Sequence, residues 1–224
     1  MASRRKWILT WLLLGLACLF LLQQPAVFFQ AQPDETRAYQ AVQNLASGTV
    51  DLPIRGMLLP LISLPFHVLG IVLSSITGAG WLIPFSTHLI NSVLALVVVG
   101  LFYRLCLHVF DHDGISVLCS LLLVLGTPFN FYGVSFYNEV LACLLMLYPF
   151  WLIIRSDSTR GSFVLAGFTV ALSALNRPDA ILFALPVVLF LLYDRPDSIL
   201  PFLAGLGTGA ILVGGVVGLG ASST

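Results

Sequence analysis

Apolar runs of membrane-crossing length recur along nearly the whole chain, at about 7–29, 57–77, 81–103, 115–133, 139–154, 162–176, 180–193 and 197–220. A helix needs roughly 17–25 predominantly apolar residues to cross the hydrocarbon core of a bilayer, so each run is a candidate span. Composition agrees: 58% of the residues are hydrophobic and 9% are charged, against about 25% charged in soluble domains. The expected fold class is all-α, a polytopic membrane helix bundle forming one integral membrane domain over 1–224. Ten basic and ten acidic side chains balance, so no field favours nucleic acid, and membrane lipid is the partner the composition implies.

The N-terminus places Arg4-Arg5-Lys6 before the apolar stretch Trp7 to Leu22. That order resembles a signal peptide, but the run is too long and no small-x-small cleavage site follows it. It reads as an uncleaved first transmembrane helix over 7–29, with its basic end in the cytoplasm. Cys18, Cys106, Cys119 and Cys143 lie in or beside apolar runs without metal-ligand spacing. They read as small buried hydrophobes, and redox compartment does not follow from them.

Segment 57–77 decides the topology. It carries Pro60, Pro65 and His67, which disfavour a straight helix near its start. Cytoplasmic loops are enriched in Lys and Arg. If 57–77 lies along the interface, the inside segments hold Arg4, Arg5, Lys6, Arg104, Arg155, Arg160 and Arg195, and the outside ones hold Arg37, Arg55 and Arg177. If it crosses, the inside keeps only Arg4, Arg5, Lys6 and Arg177. The interfacial reading follows. It gives about seven transmembrane helices, six of them within 81–220, and a long external loop over 30–80 with two surface-lying helices. An aromatic cluster of Phe129, Phe131, Tyr132, Phe136 and Tyr137 marks the outer boundary.

Within that loop, Gln32-Pro33-Asp34-Glu35-Thr36-Arg37-Ala38-Tyr39 holds the chain's only adjacent acidic pair. Pro33 restricts its predecessor to extended conformations, and Asp34 is a good helix N-cap. Ala38, Ala41, Val42 and Leu45 then repeat at helical spacing until Gly48. Two readings stand together: Asp34 and Glu35 cap the helix and complement its dipole, or they present carboxylates for chemistry at the membrane surface. On the expected topology, other polar residues converge on the same side: Arg37, Tyr39, Asp51 and Arg55, then Asn138 and Glu139, then Arg177 and Asp179. Glu139 heads an apolar helix, and ionisable residues at membrane depth are costly enough to imply a cavity or a partner. A dipole-stabilising Glu139 and a snorkelling Arg177 are the plainer alternatives.

These features together resemble the N-terminal membrane module of GT-C-type, polyprenyl-phosphate-sugar-dependent glycosyltransferases. The pattern is similar to that of protein O-mannosyltransferases and lipid A aminoarabinose transferases. The resemblance is carried by the basic start and first helix, Asp34-Glu35 with Tyr39 following, and the loop helix with its prolines. It continues through Phe136-Tyr137-Asn138-Glu139 and Leu165-Ala166-Gly167 to Ala174-Leu175-Asn176-Arg177-Pro178. It covers nearly the whole chain, through motifs that are each degenerate and gain weight from order and spacing. It implies that Asp34 is the general base on the acceptor, with Glu35 orienting the acceptor or supporting Asp34. Glu139 falls where many relatives carry Asp, and Arg177 falls at the basic residue that meets the donor phosphate. Tyr39 and Asn138 join the substrate-binding set. The implied partners are a polyprenyl-phosphate-sugar donor and a protein or lipid acceptor on the outer face. A divalent metal occurs in some branches, and no ligand spacing here selects one. Bacterial plasma membrane, archaeal membrane and endoplasmic reticulum all suit this reading. Relatives usually continue well past such a module, so a truncated product, a split enzyme with a partner subunit, or a relative without catalysis is also expected.

Two other classes compete. A non-catalytic scaffold needs no shared cavity for Asp34, Glu139 and Arg177. A small transporter or flippase should carry ionisable residues near the midplane and often inverted repeats, whereas here the charges collect at helix ends. His108 and His112, four apart beside Asp111 and Asp113, have the spacing of two ligands on one helical face. No third ligand follows, and a solvated loop is the expected role. His88 and Asn91 are expected to hydrogen-bond within the bundle, and Gly205, Gly207, Gly209, Gly214, Gly215, Gly218 and Gly220 to serve close helix packing.

Overall fold

The structure, a computed structural model, describes residues 2–28, 33–49, 58–155 and 158–221. Asp51 and Arg55 lie outside the described residues. Among those described the chain is all-helical, with ten α-helices, two short 3-10 segments and no strand. Three helices among them are long and apolar enough to cross a membrane, at Trp7–Gln24, Leu58–Thr77 and Leu82–Phe110. Shorter apolar stretches lie at Asp113–Leu125, Glu139–Ile154, Arg160–Ala174 and Pro196–Leu212. The chain divides into two compact units, one of Met1–Asp51 with Leu59–Val140 and one of Leu52–Leu58 with Leu141–Thr224.

In the first unit, α1 (Ala2–Phe28) and α4 (Leu82–Phe110) run antiparallel. At one end Gln24 Nε2 donates to Ser92 Oγ at 2.9 Å. At the other, Arg5 reaches Asp111 at 3.1 Å and Asp113 at 3.4 Å, where α4 turns into α5 (Asp113–Leu125). The chain between α1 and α4 therefore leaves and returns at the same end of the pair. That stretch holds α2 (Pro33–Ala46) and α3 (Leu58–Thr77).

α2 begins at Pro33, whose fixed φ and missing N–H suit a first helical position. Asp34 is thus inside the first turn rather than capping it from outside. Ala38, Ala41 and Val42 form its buried stripe. Its end is a paired-carbonyl stop: Gly48 N–H donates to Leu45 O at 3.1 Å and Thr49 N–H to Asn44 O at 2.8 Å. This stop requires the left-handed φ of 84° that Gly48 supplies.

α3 is continuous from Leu58, because Pro60 sits in the first turn, where its absent N–H would have had no acceptor in the helix. Pro65 lies within it. Gly70 lets α3 rest on the first turn of α4: a Cβ there would stand 2.8 Å from Ile83 Cα and 2.9 Å from Leu82 O.

The expected span 115–133 is broken. α5 stops at Leu125, Gly126 follows, and a six-residue helix α6 (Phe129–Val134) starts after Pro128. Proline at 128 disfavours helical geometry at Thr127, so the ladder cannot run through. α4, in turn, runs past the expected 103 to Phe110 and is ended by Asp111 at a φ of 45°.

The second unit is built on α7 (Glu139–Ile154) from Leu141 onward, α8 (Arg160–Asn176), α9 (Ala184–Asp194) and α10 (Ile199–Ala221). Leu152, Ile153, Phe163, Ala166, Val187, Leu191 and Phe202 make its core. α8 and α10 approach closely through glycine. Gly167 faces the backbone of Phe202 and Leu206, Gly205 faces the carbonyl of Val164, and Gly209 faces Ala171 Cβ. Gly207 and Gly215 have open space beside them, so the packing role holds for alternate glycines only. Gly214, Gly218 and Gly220 lie outside the residues whose surroundings are described. The stretch 180–193, expected as one span, starts as a 3-10 segment Pro178–Phe183 before α9.

Candidate functional site

The polar residues that the first unit gathers around α2 and the start of α4 form the candidate site. Tyr39, half-buried on α2, sets its ring edge-on to His67 of α3 with centroids 5.7 Å apart. The same ring lies 6.1 Å from that of His88 on α4. His88 is buried, and its ring centroid is 5.4 Å from that of Phe136. Phe136 precedes Tyr137-Asn138-Glu139, so the ring stack from Tyr39 ends on the turn that opens α7. Asn138 and Glu139 are half-buried there.

His67 Nδ1 lies 2.9 Å from Thr87 Oγ1, and that hydroxyl donates to Ile83 O at 2.8 Å. With the hydroxyl proton committed to the carbonyl, His67 is the donor, which fixes its proton on Nδ1. α3 is thereby pinned to α4 by one hydrogen bond next to the close approach at Gly70. Burial pushes the Tyr39 phenol above its ordinary pKa, and a hydrogen bond with Gln43 offsets part of that. Tyr39 is therefore a neutral phenol at ordinary pH, suited to hydrogen bonding and to stacking rather than to proton abstraction.

The turn that carries Asn138 and Glu139 is held from two other helices. Asn91 Nδ2 donates to Ser135 O at 2.5 Å and Tyr137 O at 2.8 Å, with Tyr132 O at 3.4 Å. Ser92 Oγ donates to Gly133 O at 3.0 Å, and Gln24 Nε2 to Val134 O at 3.3 Å. Phe131, Tyr132 and Tyr137 cluster beside it, with ring centroids 5.6 to 5.9 Å apart.

Asp34 and Glu35 lie in the first turn of α2, one turn ahead of Tyr39; their side chains are outside the described residues. Arg37 is exposed on α2. Arg177 belongs to the second unit, where its backbone N–H closes α8 on Ser173 O at 2.7 Å. Its guanidinium reaches Asp179 with two prongs, Nε to Oδ1 at 3.3 Å and Nη2 to Oδ2 at 3.2 Å. Tyr39, Asn138 and Glu139 thus share one unit, and Arg177 stands in the other beside a carboxylate.

His112 has a local role, since its Nδ1 accepts from the Ile115 N–H at 3.3 Å and caps α5. Asp111 and Asp113 are taken by Arg5. A cleft of about 510 Å³ opens here, lined by Ile8, Asp111, His112, Asp113, Gly114 and Val117. No group of three or more His, Cys, Asp or Glu converges on a metal position among the described residues. Sequence reasoning did not single out Gln24, Ser92 or Thr87. Their signal was present, as polar side chains inside or at the end of apolar runs.

Comparison of the chain with protein-family models, curated proteins and solved structures finds no match.

Proposed function

We propose that this chain is the membrane module of a GT-C-type glycosyltransferase, which moves a sugar from a polyprenyl phosphate to a protein or lipid acceptor on the outer face. The observation that carries the reading is the docking of α2. The helix that bears Asp34 and Glu35 is fastened through Tyr39 to His67, His88 and the turn leading to Asn138-Glu139. An acidic loop helix linked through His88 and Phe136 to the turn before Glu139 is an arrangement that suits an acceptor site at the membrane surface.

In this reading the Asp34 carboxylate takes the proton from the acceptor hydroxyl as its oxygen attacks the anomeric carbon. The bond to phosphate breaks, and the polyprenyl phosphate leaves with the electron pair. Glu35 orients the acceptor. Tyr39, Asn138 and Glu139 bind sugar or acceptor, and the resemblance assigns the leaving phosphate to Arg177 of the second unit. The N-terminus is cytoplasmic, about seven segments cross, and α3 lies along the outer interface. Its support is the same-end return of the chain between α1 and α4. The outward surfaces agree: α3 exposes Val68, Ile71, Val72 and Ile76, whereas α2 exposes Thr36, Arg37, Gln40 and Gln43.

One observation favours a second reading, a non-catalytic membrane subunit. The Arg177 fork already engages Asp179, and a phosphate must compete with that carboxylate.

Asp34→Asn tests the assignment, with transfer measured from a labelled polyprenyl-phosphate sugar by a chain shown to be active. The amide keeps the shape and removes the base, so turnover falls by about 10²–10⁴ while folding survives. Parental turnover in this variant removes Asp34 from the reaction. For topology, an impermeant thiol reagent applied outside reaches Thr49→Cys and misses Ser158→Cys. Labelling at 158 overturns the orientation.

A further inference from the structure

α6 is a helix of six residues set between two breaks at the level of the first unit's buried polar cluster. The last carbonyls of any helix have no intrahelical donor, and a short helix is nearly all ends. Buried from water, those groups find no solvent donor either, so such a break persists only where other parts of the protein supply donors. Here the supply can be traced atom by atom. Ser92 donates to the carbonyl of Gly133, Gln24 to that of Val134, and Asn91 to those of Ser135 and Tyr137. The donors come from α1 and α4, distant in sequence, and all are buried, with Gln24 and Asn91 at 0% exposure and Ser92 at 3%. The orientation of Asn91 follows from its acceptors: turned over, its Oδ1 would face carbonyl oxygens and repel them. Gln24 Nε2 bridges Ser92 Oγ and Val134 O, which ties the α1–α4 pair to the turn in one network.

We infer that Asn91, seconded by Ser92 and Gln24, is a positioning residue: a cap supplied from other helices that sets the register of the 132–137 turn, and with it the place of Asn138 and Glu139 at the head of α7. The first turn of α7 cannot be placed by its own sequence, because it follows a break. Asn91 bonds on both sides of Phe136, the residue whose ring meets His88 and, through it, Tyr39. The same side chain therefore fixes the backbone under the candidate site and the aromatic contact above it. The cap stands without the glycosyltransferase reading; only the use made of Glu139 rests on that reading.

The test follows opening of the turn with a buried thiol. Ser135 is fully buried, and its hydroxyl has no partner among the described residues, so Ser135→Cys is a mild change. The full chain carries it in micelles, with the four native cysteines changed to alanine. Asn91→Leu keeps the volume and removes both donors. The expected result is labelling of the thiol at position 135 by a small maleimide about tenfold faster or more, since unpaired buried carbonyls favour the opened turn. An exposed Ser47→Cys probe should react at the parental rate. Asn91→Gln, which keeps the amide donors on a longer stem, should recover part of the protection, and Asn91→Asp should not. Should Asn91→Leu fail to fold, Asn91→Thr keeps a single donor and is expected to label at an intermediate rate. Parental labelling at position 135 in a folded Asn91→Leu or Asn91→Thr chain overturns the inference. So does equal labelling in the Gln and Asp variants. In an active chain, Asn91→Leu should lower kcat with Asp34 untouched. An inactive parent speaks against the glycosyltransferase reading alone, because the thiol measurement needs no turnover.

Discussion

The two units solve the same problem with different chemistry. In the second, α8 and α10 bring their backbones together across Gly167 and Gly205, around a core of Phe163, Ala166 and Phe202. In the first, α1, α4 and the broken segment after α5 are joined by side-chain amides and hydroxyls reaching backbone carbonyls. Close packing works where helices are continuous and satisfy their own backbones. Polar capping is needed where a helix breaks and its freed carbonyls are buried from water. The polar, broken unit also carries Tyr39, Asn138 and Glu139. Asn138 and Glu139 follow directly on the segment where backbone regularity has been given up.

The largest expected effect breaks the close-packed side. A Cβ at Gly205 would fall on the carbonyl of Val164, a backbone atom that cannot rotate away. Gly205→Leu should therefore separate α8 from α10 and cost about 3 kcal/mol or more, beyond usual overpacking penalties. Trp151 lies in the second unit and Trp81 in the first. Single-tryptophan chains unfolded by denaturant should show the loss at Trp151 first. A parental midpoint at Trp151 would mean that the glycine contact does not hold the pair.

A smaller effect is expected from breaking the polar side. Gln24→Leu removes the donor to Val134 O and Ser92 Oγ while keeping apolar volume. An unsatisfied buried carbonyl costs about 1–3 kcal/mol, read this time at Trp81. If Gln24→Leu instead raises the midpoint, the amide is dispensable for stability, and the contrast between the units fails.

How much of this was readable in advance follows the range of the interaction. α2 was legible nearly to the residue, because Pro33, the Ala38-Ala41-Val42 stripe and Gly48 act within a few positions of one another. The break after Leu125 was written in Gly126-Thr127-Pro128 but disappears when hydropathy is averaged over a span. Pro60 does not interrupt α3, because the penalty for proline vanishes in a first turn. The site was legible only as types of residue. Asn138 and Glu139 stand out as polar groups at a run end and Tyr39 through the loop-helix pattern, whereas the bond from Gln24 to Val134 joins positions 110 apart. Hydropathy and periodicity report which groups are costly to bury, and remain silent on which distant carbonyl will satisfy them.

The smallest expected effect concerns the far end of the α1–α4 pair and asks whether charge adds to the polar capping. Arg5 bridges Asp111 at 3.1 Å and Asp113 at 3.4 Å, and Tyr103 also donates to Asp113 at 3.3 Å. The Arg5 side chain is 36% exposed and that of Asp111 86%. Pairs this open to water contribute about 0.2–1 kcal/mol. Arg5→Gln keeps hydrogen-bonding reach and removes the charge, so it should lower the Trp81 midpoint by less than Gln24→Leu. The loss should shrink further in high salt, because the screening length falls from about 10 Å at 0.1 M to about 3 Å at 1 M. A loss equal to that of Gln24→Leu and unchanged by salt would show the bridge to be desolvated. The first unit would then be held by charge as much as by amide caps.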